Sequence, residues 1–352
     1  AKAIDILKTT ENECAENVIE HASLQFPDLL NDFLEIIFEV KPNWSAYYSN
    51  YPWRGASKEQ ITVFKEKFFN PETSTDDKKE LFGCLLQTRD LETINDIYRY
   101  TLDNNLFNRP DIEQYLDYYL EDVSYTRRNG EFISYCPNST YHFSFEPDYF
   151  DDSDRKIYLS RKQHPTWRLQ PKPEKYRFGG ILEDDETNPL FHFITFDTIP
   201  NGININGLKK LTLGCHVREL NEYSMVFYQH DEKGYPIKIN TRTDYKIDYP
   251  FDNAIKETFV RFALTPSRWK FQSWGSSNSR ESLFRLGGEP TWIQGAEVLV
   301  CPICGEKMDF LMQLDTDLPD VKDSELMFGS GGICYIFWCN KTKVSGYIMQ
   351  CT

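Results

Sequence analysis

Four cysteines near the end of the sequence have the residue type and spacing of a metal site. Cys301 and Cys304 belong to the run Cys-Pro-Ile-Cys-Gly, and two thiolates at this spacing form one half of many tetrahedral zinc sites. A closed structural site needs two more ligands, and Cys339 and Cys351 are the candidates. The sequence therefore predicts a structural zinc ion bound by Cys301, Cys304, Cys339 and Cys351.

A second interpretation of these cysteines stays open. A second Cys-x-x-Cys is absent, because Cys339 is followed by Asn-Lys-Thr. If the flanking segments pair as a hairpin, Cys339 lies near the turn and Cys351 lies about 20 Å away, so both cannot bind one ion. The alternative is a knuckle of free thiols. Redox chemistry is not favoured, because the Cys-x-x-Cys lies between two predicted strands rather than at the start of a helix.

The composition indicates a folded chain and argues against two classes of partner. Hydrophobic residues make up 40% and aromatic residues 15% of the 352 residues, which disfavours disorder. The net charge of -15 disfavours binding to nucleic acid or to anionic membranes. No run approaches the ~18–20 apolar residues of a membrane span, and no apolar core follows Lys2 as in a signal peptide. We therefore expect a cytoplasmic protein with reduced cysteines.

The negative charge is concentrated in the first third of the sequence. Residues 1–125 hold 24 Asp and Glu against 12 Lys and Arg. One interpretation is a solvated helical surface. The other is an electrostatic surface that steers a basic protein partner.

Residues 1–125 are predicted to form an acidic helical domain. Apolar residues recur at three- and four-residue steps, for example in the run that begins at Phe26. Ser57 and Asp90 precede two further runs of this kind, and both residue types are preferred N-caps. Helices of about 10–15 residues with short connections indicate HEAT-like helix pairs or an irregular bundle.

From residue 126 onward the sequence predicts strands. Short aromatic and β-branched runs are separated by Gly, Pro, Asn and Asp. One helix is predicted among them at Asp252–Phe262, because Ile255, Phe259 and Phe262 share one helical face. We therefore expect an α+β fold, in which a helical N-terminal region precedes a mainly antiparallel β-rich region.

The β-rich region repeats its own pattern, which predicts a duplication. The repeated segments are Arg177-Phe-Gly-Gly and Arg285-Leu-Gly-Gly, the strands beginning at Phe193 and Phe310, and the expected hairpins Leu211–His230 and Gly332–Cys351. A glycine pair at matching positions indicates a positive φ or a close approach of two strands. We expect a first β-rich half at residues 126–275 and a second half, with the cysteine knuckle, at 276–352.

Histidine and glycine patterns do not predict an enzyme. None of the six histidines forms a close metal-binding pair, and neither a Gly-x-Ser-x-Gly motif nor a phosphate-binding glycine loop is present. Cys215 and His216 are adjacent, but neighbours in a strand point to opposite faces, so we do not expect them to act together. His230 is expected at a surface turn. An enzyme with an unrecognised site is the remaining alternative.

Three motifs in the second half occur together in one known family. They are Leu286-Gly-Gly-Glu-Pro-Thr-Trp, Cys301-Pro-Ile-Cys-Gly and Gly332-Ile-Cys-Tyr-Ile-Phe-Trp-Cys. With them, residues 130–352 resemble the YwqG-like family, a domain of unknown function, most strongly from residue 283 on. The same region is more distantly similar to the C-terminal domain of programmed cell death protein 2. Where the family pattern has a fourth cysteine, this chain has Thr342.

The resemblance implies a duplicated β-rich fold without established catalysis. Some relatives resemble immunity proteins encoded beside polymorphic toxins. We therefore expect a bacterial immunity protein that neutralises a toxin by direct binding, through the acidic helical region or a cleft beside it. The alternative is a chaperone or adaptor for a protein client.

Overall fold

The chain folds into a helical unit and a β-rich unit. The computed structural model describes residues 2–9, 12–40, 51–146, 149, 170–239, 254–265, 284–316, 318–319 and 325–351. Its two compact units are Ala1–Ile133 and Ser134–Thr352. The predicted α+β class, with helices first and a mainly antiparallel β-rich region second, is confirmed.

The boundaries between the parts can be compared with those expected from sequence. The helices end near the expected 125/126 boundary, although the strands that follow at 125–134 are grouped mainly with the helical unit. The boundary expected at 275/276 lies outside the described residues.

The helical unit begins each of three central helices with a side-chain cap. Ser57, Ser74 and Asp90 each accept a hydrogen bond from the backbone amide three residues later, which satisfies an otherwise unpaired donor. The predicted caps at Ser57 and Asp90 are thus confirmed. The α-helices are α1 (Lys2–Leu7), α2 (Glu13–Gln25), α3 (Leu34–Val40), α4 (Lys58–Phe69), α5 (Thr75–Gln87), α6 (Leu91–Asp103) and α7 (Ile112–Asp122), with 3₁₀ helices at Pro27–Phe33 and Tyr51–Gly55.

The core of the helical unit is built mainly from apolar residues of α4–α7, whereas the predicted face that begins at Phe26 is only partly buried, because Phe26 and Leu29 are exposed. Phe64 and Phe68 of α4, Leu81 of α5, Ile94 of α6 and Leu116 of α7 are fully buried in one cluster. Neighbouring helices in the chain pack on one another here, as their short connections require. Within the described parts of the chain, no helix has the length and apolar character to cross a membrane.

The β-rich unit contains one large antiparallel sheet. Its strands run in the order β6-β5-β4-β9-β3-β10-β11-β14-β15-β7-β8. Two short pairs, β1-β2 and β12-β13, lie outside this sheet. The strands are β1 (Tyr125–Arg128), β2 (Glu131–Ser134), β3 (Thr140–Phe145), β4 (Tyr176–Glu183), β5 (Leu190–Phe196), β6 (Leu211–Cys215), β7 (Met225–His230), β8 (Pro236–Ile239), β9 (Ile255–Leu264), β10 (Arg285–Gly287), β11 (Asp309–Asp315), β12 (Leu318–Pro319), β13 (Glu325–Leu326), β14 (Ile333–Cys339) and β15 (Val344–Gln350).

The order of strands is symmetric about the β9-β3 pair at the centre of the sheet. β4 and then β5 lie on one side of this pair, and β10 and then β11 lie on the other. β3 pairs with β9 and with β10, while β9 also pairs with β4. The two central strands β3 and β9 therefore each lie beside one of the two strands that carry the repeated glycines.

The repeated glycines explain how these strands approach each other. Gly179 and Gly287 have φ values of +82° and +70°. A Cβ at Gly179 would clash with the backbone oxygen of Lys256 in β9, and one at Gly287 would clash with that of Ser139 before β3. Both positions thus require glycine for the same two reasons, a positive φ and a close backbone contact.

Two predictions of secondary structure in this unit are wrong. Residues 255–262 of the predicted helix Asp252–Phe262 belong to strand β9, because two neighbouring strands satisfy its backbone. Residues 252–253 lie outside the described part. The segment Leu211–His230 is not a hairpin, because the helix α8 (Val217–Tyr223) separates β6 from β7, and β7 pairs with β15.

We expect Gly287→Ala to destabilise the β-rich unit far more than Gly305→Ala. Gly305 has a similar φ of +73° but open space around its Cβ position. Gly305→Ala should cost about 1–2 kcal/mol for the positive φ, whereas Gly287→Ala adds a backbone clash worth at least about 2 kcal/mol more. Urea unfolding of both variants measures this difference. Equal losses would show that β10 tolerates a wider separation from β3.

Candidate metal centre

The Cys301–Gly305 knuckle is a tight turn held by backbone hydrogen bonds. The amide of Cys301 donates to the oxygen of Glu306 over 2.9 Å, and the amide of Gly305 donates to the oxygen of Cys301 over 2.9 Å. Gly305 has a φ of +73°, which glycine adopts without strain. The turn therefore holds the side chains of Cys301 and Cys304 at a fixed separation.

The β14-β15 hairpin brings a third sulfur to this knuckle. Cys339 ends β14 and pairs with Val344, the first residue of β15. The sulfurs of Cys301, Cys304 and Cys339 all lie within 4.8 Å of one another, and those of Cys304 and Cys339 are 3.6 Å apart. A tetrahedral zinc site with 2.3 Å Zn–S bonds has sulfurs about 3.8 Å apart. Three of the four predicted ligands therefore lie close enough together to bind a metal ion.

Hydrogen bonds to the sulfurs of Cys301 and Cys304 favour metal binding. Burial raises the pKa of Cys301, but hydrogen bonds from the Thr342 hydroxyl and from the amides of Cys304 and Ile303 together hold that pKa below its ordinary value. The amide of Glu306 donates to the sulfur of Cys304, although burial raises the pKa of this thiol to about 11. Amides aimed at both sulfurs are what a metal-binding knuckle provides for thiolates.

The structure does not bring Cys351 to this group. Ile333 pairs with Gln350 at one end of the hairpin, and Cys339 pairs with Val344 at the other. Cys351 follows Gln350, so the length of a seven-residue strand, about 20 Å, separates it from Cys339. This separation follows from the hairpin register, and it is the separation of Cys339 and Cys351 that a hairpin was expected to give.

Cys334 is kept from the group by strand alternation. All seven residues of β14 are buried, and successive side chains enter two different cores. Cys334 belongs to the core with Ile336 and Trp338, whereas Cys339 belongs to the core with Cys301. Cys334 therefore lies on the opposite face of the sheet.

Thr342, and not Cys351 or Cys334, lies next to this group of sulfurs. Its Oγ1 lies 3.1 Å from the Sγ of Cys301, and the residue is half-buried. Sequence reasoning identified Thr342 only as the replacement for a family cysteine and did not include it in the ligand set. The Cys-x-x-Thr spacing that follows Cys339 was the available signal.

The turn that carries Thr342 is held by hydrogen bonds to residues 204–206 of the β-rich unit. Asn340 accepts hydrogen bonds from the Trp338 indole and from the amide of Asn206, and its own amide group donates to the oxygen of Asn204. Lys343 also donates to the oxygen of Asn206. These contacts orient the turn from outside the hairpin.

A second polar cluster lies at the end of β6. The Nδ1 of His216 lies 2.6 Å from the Tyr228 hydroxyl, which also accepts a hydrogen bond from the His216 amide. Burial raises the pKa of Cys215 well above its ordinary value, and the same hydroxyl opposes this rise. Because β6 ends at Cys215 and α8 begins just after His216, the strand alternation expected for this pair does not apply. Tyr228, which was not predicted, joins them.

His230 was expected at the surface but is buried. Its Nε2 lies 2.8 Å from the Ser345 hydroxyl of β15, and its Nδ1 lies 3.2 Å from the oxygen of Gly234. The long-range pairing of β7 with β15 covers the side chain, which the local sequence His230-Asp231 could not indicate.

Comparisons with known proteins give no relative. No family model matches the chain, no curated protein matches it, and no solved structure matches it.

We expect acid to destabilise the β-rich unit through His216 and His230. Burial lowers the pKa of each imidazole to about 4, against about 6.5 in an unfolded chain. The stabilising effect of the neutral forms is therefore fully present above pH ~6.5 and is lost as the pH falls toward 4. Each histidine should contribute about 1–3 kcal/mol to this loss.

The double variant His216→Gln/His230→Gln isolates this effect from that of the carboxylates. It should be less stable than the wild type at neutral pH, and the difference in unfolding free energy should shrink between pH 6.5 and 4.5. Urea titrations across this range measure it. A difference that does not change with pH would contradict the assignment.

Proposed function

We propose that this protein acts by binding another protein through an acidic surface on its helical unit. The observation that supports this most directly is a row of exposed carboxylates. Asp28 and Asp32 of the 3₁₀ helix and Glu35 and Glu39 of α3 are all exposed and lie three or four residues apart. The sequence has no Lys or Arg between residues 9 and 40. Such a surface attracts a basic partner and increases its rate of association.

Exposed apolar side chains in the same segment suit a binding surface. Val18 is 58% exposed, Phe26 is 48% exposed and Leu29 is 67% exposed. Val18 lies on α2, Phe26 is the C-terminal cap of α2, and Leu29 lies on the 3₁₀ helix Pro27–Phe33. The helix α2 and this 3₁₀ helix pack against each other. Protein interfaces combine apolar contacts of this kind with a charged rim.

We further propose that the partner is a toxin domain with a basic surface, which would make this chain an immunity protein. The resemblance of residues 130–352 to the YwqG-like family supports this choice, since some of its relatives resemble immunity proteins. In this proposal the acidic surface covers the basic surface that the toxin uses, so that binding alone neutralises it.

An adaptor or chaperone is the second candidate, and the exposed Val18, Phe26 and Leu29 favour it. Apolar side chains bind unfolded clients with little dependence on salt, whereas carboxylates bind a basic toxin less strongly as salt rises. The two functions therefore differ in a measurable property.

We infer that the Cys301, Cys304 and Cys339 group holds a structural zinc ion. Two of the three residues, Cys301 and Cys339, are buried, and the group joins the knuckle to the β14-β15 hairpin. A metal that crosslinks two such elements contributes its binding free energy to folding.

Reversing the acidic row should weaken capture of the partner. In the variant D28K/D32K/E35K/E39K, affinity at low salt should fall at least about tenfold, because four attractions become repulsions. Tagged protein is used for affinity capture from the native host, the partner is identified by mass spectrometry, and the purified pair is titrated at low and high salt.

A matched control changes the net charge equally elsewhere on the helical unit. Glu66, Glu72, Asp103 and Glu131 are also exposed, and reversing all four to lysine should leave affinity nearly unchanged. Equal losses in the two variants would reject the acidic row as the contact surface. Capture of many unfolded chains that resists high salt would favour the adaptor.

Cys339→Ser should remove zinc and lower the stability of the β-rich unit, whereas Cys351→Ser should do neither. The loss should be at least about 3 kcal/mol, which corresponds to roughly 6–12 °C in Tm for a unit of this size. Metal analysis by mass spectrometry and thermal unfolding measure both effects. Retention of zinc by Cys339→Ser, or its loss in Cys351→Ser, would contradict the ligand assignment.

A further inference from the structure

We propose that Thr342 occupies the fourth corner of the metal centre, so that the ion has three sulfur ligands and one oxygen ligand. This inference rests on the structural zinc proposed above. It differs from a closed four-cysteine site in one respect: the oxygen position can exchange for an added soft ligand such as a thiolate.

The two turns at the centre have the same backbone form. In the knuckle, the amide of Gly305 donates to the oxygen of Cys301 over 2.9 Å, and Gly305 has a φ of +73°. In the hairpin, the amide of Lys343 donates to the oxygen of Cys339 over 2.9 Å, and Lys343 has a φ of +57°. Each turn thus has a first cysteine, a five-residue hydrogen-bonded loop and a closing residue with positive φ.

This correspondence assigns a position to each side chain. Two residues separate Cys301 from Cys304 in the knuckle, and two residues separate Cys339 from Thr342 in the hairpin. Cys301 therefore corresponds to Cys339, and Cys304 corresponds to Thr342. A tetrahedral site made of two such turns takes two ligands from each. Thr342 is therefore the residue whose side chain faces the fourth corner.

The side chains of the two turns also lie close enough together to share one ion. Thr342 Oγ1 lies 3.1 Å from the Sγ of Cys301, while the Cys304 and Cys339 sulfurs are 3.6 Å apart. Each of these two contacts joins one atom of the knuckle to one atom of the hairpin turn. An oxygen and a sulfur bound to one zinc ion lie about 3.6 Å apart, so a small side-chain movement suffices for the hydroxyl or a water beside it to complete the site.

The chemistry of this corner differs from that of the other three. A neutral alcohol is a weak ligand, whereas thiolates bind zinc strongly and carry the charge. Thr342 and Cys304 are half-buried, so this side of the centre is open to solvent, while Cys301 and Cys339 are buried. Zinc sites with three protein ligands keep an exchangeable fourth position. A thiolate is the ligand class best suited to it.

The test compares the full-length wild type with Thr342→Cys and Thr342→Ser. X-ray absorption of the zinc-loaded wild type should give three sulfurs and one oxygen or nitrogen, and Thr342→Ser should give the same. Thr342→Cys should give four sulfurs and should resist zinc removal by a chelating dye at least about tenfold better. Thermal unfolding establishes that all three proteins are folded.

Cobalt-substituted protein tests whether the fourth position exchanges. Added 2-mercaptoethanol should change the visible spectrum of the wild type and of Thr342→Ser but not that of Thr342→Cys. Four sulfurs in the wild type, or no gain of sulfur in Thr342→Cys, would overturn the assignment of Thr342 while leaving the zinc ion in place. A wild type that binds no zinc would overturn the zinc proposal itself, which makes the two failures distinguishable.

Discussion

The pairing of β3 with β9 is the contact on which the β-rich unit depends. β3 also pairs with β10, and β9 also pairs with β4, so each lies beside a glycine-bearing strand. These pairings are possible because Gly179 and Gly287 let two backbones approach where a side chain would clash. β4 and β10, with the strands that follow them, are thereby joined through β9 and β3 into one continuous sheet.

That sheet also determines where chemistry can occur. β14 is buried on both faces, and its alternation sends Cys339 toward the cysteine knuckle and Cys334 into the other core. The turn after Cys339 is then oriented by Asn340, which binds the 204–206 segment of the first half. The group of Cys301, Cys304 and Cys339 is thus positioned in part by contacts with residues 204–206. The acidic row belongs to the helical unit, so the proposed binding surface and the proposed metal site lie on separate units.

The sequence predicts local features of this molecule well and long-range pairing poorly. The caps at Ser57 and Asp90, the Cys301-Pro-Ile-Cys304 knuckle and the repeated glycines each depend on a few neighbouring residues. The spacing within 252–262 suits a helix equally well, and only pairing with two distant strands makes 255–264 a strand. The position of Thr342, rather than Cys351, beside Cys301 depends on the hairpin register, and the burial of His230 depends on a strand more than 100 residues away.

The pairing of β3 with β9 delays formation of the sheet during synthesis on the ribosome. β3 ends at residue 145, and its first partner, β9, begins at residue 255. At about 5–20 residues per second, translation of the intervening chain takes roughly 6–22 s. Throughout this delay neither of the strands that pair with β3 has been synthesised. The nascent helical unit can fold in the same interval, whereas the β-rich unit must wait for nearly the whole of its sequence to emerge.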